Sequence, residues 1–132
     1  RPARRVPPAS LLESDAAGVV AERASAAELR ELQTLHAELE SAVDDRETFF
    51  AINERFHMRI LEISDNRWRS QMVADLRKVM KLNRHNSLLK SGRIQESLAE
   101  HRAVMAALEQ RDAAGAMARM QAHFASGLEA AV

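Results

Sequence analysis

The chain has 132 residues, with 19 Lys and Arg balanced by 19 Asp and Glu, 46% apolar residues and no Cys. It is long and apolar enough for one globular domain with its own core, which excludes disorder and a collagen-like fibre, and it has no means of making disulfides, thiol nucleophiles or Cys-based metal sites. No apolar run approaches the roughly 18 residues of a membrane span, and the neutral balance argues against a domain that grips nucleic acid unaided.

Residues 1–8, RPARRVPP, read as a linker stub, because Pro2, Pro7 and Pro8 deny helical hydrogen bonds. The chain opens on Arg1 where a start would have Met, so a segment is expected upstream. Residues 9–132 contain no further Pro, little Gly, and much Ala, Leu, Glu, Arg and Met. That vocabulary predicts an all-α fold, an antiparallel bundle of about six helices. The first is expected from Ala9 to Arg23. Ser25 and Glu28 form a capping box that opens a second, through Val43. Asp44 or Asp45 caps a third from Arg46 to Ile63, ending at Ser64-Asp65-Asn66, where Asn66 can absorb a left-handed turn. A fourth is expected from Arg67 to Leu89, a fifth from Arg93 to Gln110, and Asp112 caps a sixth from Ala113 onward.

Charge is segregated along these elements. Residues 11–65 hold five basic and thirteen acidic side chains, whereas residues 66–93 hold eight basic and one acidic. Either the basic helix pairs with acidic neighbours and water, or it is held ready for an anion.

The wide apolar stripe of the third helix predicts a central element, and its phase turns Asn53 and His57 inward, one turn apart. The same reasoning turns His101 inward on the fifth helix and sets His123 at the edge of the buried face of the sixth. Three imidazoles and one side-chain oxygen outline a site for Zn, Ni, Fe or Cu with positions left open. A single inward His is more often a hydrogen-bonded core residue, and that reading stands beside the metal one. His36 and His85 are read as ordinary helix and surface residues. Glu54 and Glu100 adjoin these positions in sequence but are expected to point away, leaving no carboxylate general base. On the fourth helix Val73, Arg77, Met80, Arg84 and Leu88 share a face, so Arg77 and Arg84 can look into the bundle.

NERFHMRILEISDNRW at 53–68 resembles the pattern D-x-x-F-H-x-x-[IL]-x-x-x-S-G-N, and EHRAVMAALEQRDAAGAMARMQAHF at 100–124 resembles E-H-x-x-[IL]-x-x-A-[IL]-x-x-x-D-x-x-x-A-x-x-x-[ML]-x-x-H. Together with LLESDAAGVVAERASAAELREL at 11–32, these segments make the chain similar, over residues 11–128, to the effector-binding FCD domain of the FadR subfamily of GntR transcription regulators. Six helices would look like the VanR-type branch. The resemblance implies a divalent metal, Zn or Ni, on Asn53, His57, His101 and His123. The first departs from the family's Asp, and a neutral carbonyl oxygen there weakens the attraction for a cation. Asp65 departs from the family's turn Gly. The resemblance further implies a small carboxylate or sugar-acid effector met by Arg77 and Arg84, a homodimer, a cytoplasmic setting, and operator DNA bound by a winged helix-turn-helix domain absent from this chain. The function it implies is regulatory and not enzymatic. The alternatives are a three-His metalloenzyme and a purely structural bundle whose dimer face includes Met58 and Met72.

Overall fold

The computed structural model describes residues 8–131, and side chains over residues 10–127. Seven helices follow one another among the described residues, with no strand: α1 (Pro8–Arg23), α2 (Ala26–Glu40), α3 (Arg46–Ile63), α4 (Arg67–Val79), α5 (Lys81–Leu88), α6 (Arg93–Glu109) and α7 (Ala113–Ala131). No helix is long and apolar enough to cross a membrane.

Local chemistry sets most of the boundaries. The capping box is present: Ser25 Oγ accepts from Glu28 N at 3.0 Å, and the Glu28 carboxylate accepts from Ser25 N at 2.9 Å. Asp45, and not Asp44, caps α3, accepting from Thr48 N at 3.1 Å. Asp112 caps α7 through Gly115 N at 2.9 Å. Four expectations need correction. Pro8 belongs to α1, not to a linker, since the first turn of a helix needs no N–H there; the rest of the linker reading, residues 1–7, lies outside the described residues. The second helix stops at Glu40 and not Val43, giving way to a hydrogen-bonded turn over residues 41–44. The left-handed residue after α3 is Asp65, at φ 55°, while Asn66 is extended and caps α4 through Arg69 N.

The fourth correction changes the helix count. The expected helix over 67–89 is split at Met80 (φ −94°, ψ 5°). Arg84 Nη2 donates to the Arg77 carbonyl at 2.8 Å, occupying the acceptor that the next turn would have used. A side chain inserted into the backbone ladder is a sufficient cause for such a break.

The main core joins Ala16, Ala17 and Val20 of α1, Leu32 of α2, Phe56, Ile60 and Leu61 of α3, Met105 and Leu108 of α6, and Met120 of α7. Helix α1 packs against α3, α4, α6 and α7, so it shares the centre expected of α3 alone. Its small residues allow this: a Cβ on Gly18 would fall 2.8 Å from Met117 Cγ, which brings α1 and α7 close. Met58 is half-buried against the core, whereas Met72 is exposed.

The basic segment divides into two sets. Arg69 pairs with Asp15, Arg77 with Glu13 and Glu54, Arg84 with Glu54, and Arg93 with Glu100. Arg67, Lys78, Lys81 and Lys90 have no acidic partner among the described residues. The paired set therefore knits α4, α5 and α6 to the acidic helices, and the unpaired set faces water.

Candidate metal centre

Helical phase on α3, α6 and α7 carries His57, His101 and His123 to one point. One ring nitrogen from each lies within 4.8 Å of the others, and all three residues are buried. His57 Nε2 and His101 Nε2 are 3.4 Å apart, and the His57 and His123 rings stack at 5.3 Å between centroids.

The far sides of two rings are held by carboxylates. Glu13, fully buried on α1, meets His57 Nδ1 at 2.8 Å. Glu100 on α6 meets His123 Nδ1 at 2.5 Å. An imidazole that donates its Nδ1–H to a carboxylate presents its Nε2 lone pair on the other side, the arrangement that fixes the tautomer of metal-ligating histidines. His101 has no such carboxylate: its Nδ1 is buried without a hydrogen-bond partner, and its Nε2 lies within hydrogen-bond distance of His57 Nε2, so its neighbours do not fix the tautomer of this third ring. Asn53, one turn before His57, lines the same cavity, and its Oδ1 is buried without a hydrogen-bond partner. Three imidazole nitrogens brought together beside an orphaned carbonyl oxygen, with His101 Nδ1 also unpartnered, form a donor set that a cation would satisfy. Four donors of the N and O type are thus available, a set that suits Zn, Ni, Fe or Cu.

Both carboxylates are anchored in turn. Arg77 donates Nη2 to Glu13 Oε1 at 2.8 Å and Nε to Glu13 Oε2 at 3.1 Å, and its Nη1 bonds Glu54. Burial works against the Arg77 charge, but Glu13 and Glu54 outweigh it and the guanidinium is held more firmly protonated than usual. Arg93 grips Glu100 with Nη1 at 2.9 Å and Nη2 at 3.0 Å. Burial alone would raise the Glu100 carboxyl, but its bonds from His123 and Arg93 bring it below the ordinary value.

A cavity of about 150 Å³ opens beside the histidines. Phe50, Leu76, Phe124 and other apolar residues line it, with Asn53, Arg77, Arg84 and Arg93 among its polar groups. The inward turn expected of Arg77 and Arg84 is found, yet neither guanidinium is free: Glu54 bridges them, accepting from Arg84 Nε at 2.5 Å. The outward orientation expected of Glu54 and Glu100 is wrong. Each residue starts about 100° round its helix from the inward position, and its side chain is long enough to swing back to a buried cation. His85 is stacked on Phe50, 3.6 Å between ring centroids, and His36 is half-buried against Phe56.

Glu13 is the residue that sequence reading missed. It stands three, four and seven residues before Ala16, Ala17 and Val20, at the head of the buried stripe of α1, and a carboxylate in phase with such a stripe is the available signal.

Burial, reinforced by the positive charge of Arg77, pushes His57 well below its ordinary 6.5, and burial with the neighbouring imidazoles does the same to His101. The unfolded chain takes up protons near pH 6.5 while the folded, metal-free chain does not, so its stability is full above 6.5 and lost as pH falls below it. Urea denaturation of metal-free protein between pH 7.5 and pH 5, buffers chosen about the ordinary His pKa, should show a falling midpoint; a flat profile contradicts the burial of neutral imidazoles.

The family model for the FCD domain matches residues 9–126. No curated protein matches the chain. The likeness to a six-helix branch loses its basis in the split of α4 from α5.

Proposed function

The chain belongs to the FCD domain family, the effector-binding regulatory domains of GntR-type transcription regulators, and from that premise we propose that it senses a small carboxylate or sugar acid at a divalent metal. The ligands in this reading are His57, His101, His123 and Asn53. The domain acts as a homodimer of the FadR type in the cytoplasm, and a winged helix-turn-helix domain upstream of Arg1 binds operator DNA.

One observation carries the reading: two of three convergent imidazoles are carboxylate-locked at Nδ1, and the group sits beside an orphaned Asn53 oxygen on the wall of a cavity. The four donors are neutral, so a bound divalent ion would keep its full charge toward the cavity and favour an anion in its open positions. Arg84 is the better placed of the two guanidiniums to meet that anion, because Arg77 spends its donors on Glu13 and Glu54. Ligand binding would act by favouring one arrangement of α4 and α5 over another, and the linkers would transmit the difference.

Native purification followed by metal analysis should find near-stoichiometric Zn or Ni. A library of small carboxylates should then raise the melting temperature of the metal-loaded protein. Protein that takes up no metal and shifts with no carboxylate overturns the sensor reading.

A further inference from the structure

The cavity beside the histidines has two unlike ends, and the directions of the helices say which residues make each. Glu100 meets His123 while Arg93 lies by Gly127, so α6 and α7 run antiparallel. His101 meets His57 while Leu98 packs with Phe49 and Ile52, so α6 and α3 run parallel. Moving away from the histidines therefore leads to Phe50 on α3, Ser97 on α6 and Gly127 on α7, all of which line the cavity. Phe50 stands about 10 Å along its helix from His57, at about 1.5 Å per residue.

This far end is apolar and sized for one ring. Phe50 and Leu88 form its walls, and His85, which does not line the cavity, stacks on Phe50 at 3.6 Å between centroids and holds that ring in place. The cavity volume of about 150 Å³ equals that of an engineered core cavity that takes up benzene. Most polar groups on the walls are already engaged. Arg77 and Arg84 share Glu54, Arg93 is held by Glu100, and Ser87 Oγ donates to the Arg84 carbonyl at 2.9 Å. Each hydroxyl of a sugar acid would lose its water here and find few partners in exchange.

Gly127 supplies the room. A Cβ on it would meet Arg93 Nη2 at 3.6 Å, an ordinary contact and the sole one within 4 Å among the described residues. The fold therefore tolerates a side chain at this position, and a glycine inside a helix costs stability relative to alanine. What the glycine provides is space at the far end of the cavity.

We propose that the acid sensed by this domain carries a single aromatic ring, seated among Phe50, Leu88 and Gly127 with its carboxylate toward the histidines and Arg84, and that Gly127 sets this preference. The inference rests on the carboxylate-sensing reading above and narrows it to one ligand class.

Isothermal titration of zinc-loaded wild type, Gly127→Ala and Gly127→Leu with benzoate, benzamide and gluconate tests it, with circular dichroism and metal content as controls. Benzoate should bind wild type at least about tenfold tighter than gluconate or benzamide do. Gly127→Leu, which fills the far end, should weaken benzoate at least about tenfold, with Gly127→Ala between. Gluconate binding as tightly as benzoate overturns the ring class and leaves the metal sensor standing. A folded, metal-loaded Gly127→Leu that binds benzoate like wild type overturns the seat of the ring. Benzamide binding as tightly as benzoate overturns the carboxylate in both readings. Benzoate bound equally by metal-free and zinc-loaded protein, and lost in Gly127→Leu, supports the ring slot while removing the metal from the sensor reading.

Discussion

Glu13→Ala is expected to destabilise the domain by about 3–5 kcal/mol, the range for breaking a buried ion pair from one side. Removing the carboxylate leaves the Arg77 guanidinium buried with only Glu54 for a counter-charge, and it strips the Nδ1 partner from His57. Glu13→Gln should fall between the two, since an amide keeps an acceptor for Arg77 but no charge. The double change Glu13→Leu/Arg77→Met should recover much of the loss, because it removes both ions from the interior. Equilibrium urea denaturation measures all three. A loss under about 1 kcal/mol for Glu13→Ala, the level of an exposed pair, would mean that water already reaches the network. Metal affinity carries a second readout: loss of the partner that orients a ligating histidine typically lowers affinity about 10–100-fold.

Metal should be the largest single source of added stability. Free Zn or Ni at about 1,000 times its dissociation constant is expected to raise the unfolding free energy by about 4 kcal/mol. His57→Ala, His101→Ala or His123→Ala should each abolish most of that increment, since two remaining imidazoles and an amide oxygen make a poor site. Asn53→Asp should act in the opposite sense and tighten binding by supplying a carboxylate where the chain has a carbonyl. Thermal and urea unfolding with and without chelator separate this effect from any change in the metal-free fold. Equal metal stabilisation of wild type and His101→Ala would place the ion elsewhere.

How much of this was legible in the sequence depends on the range of the forces involved. The bounds of α3, Arg46–Ile63, follow from an acidic N-cap and a turn-forming stop, both decided within four residues. The convergence of His57, His101 and His123 was legible for a related reason. Each is fixed to the buried face of its own helix by neighbours three and four residues away, and faces that must be buried have one core to share. The break at Met80 was not legible, because local propensity favours a continuous helix there and a side chain overrules it by taking the Arg77 carbonyl. Nor was the turn of Glu100 toward His123, since the phase of a Cα states where a side chain begins and not where a long one ends.

The sequence by itself determined the all-α class, most helix limits, the inward faces and the three imidazoles, since period and capping are short-range properties of the chain. Only the tertiary structure decided which carboxylates lock those imidazoles, that Arg77 is already neutralised by Glu13 and Glu54, and that half of the basic side chains over residues 66–93 have acidic partners among the described residues. The reason is that Glu13 and Arg77 stand 64 positions apart. A buried charge is tolerated only beside its partner, and which partner arrives is settled by the packing of α1 against α4, a contact that no local pattern encodes.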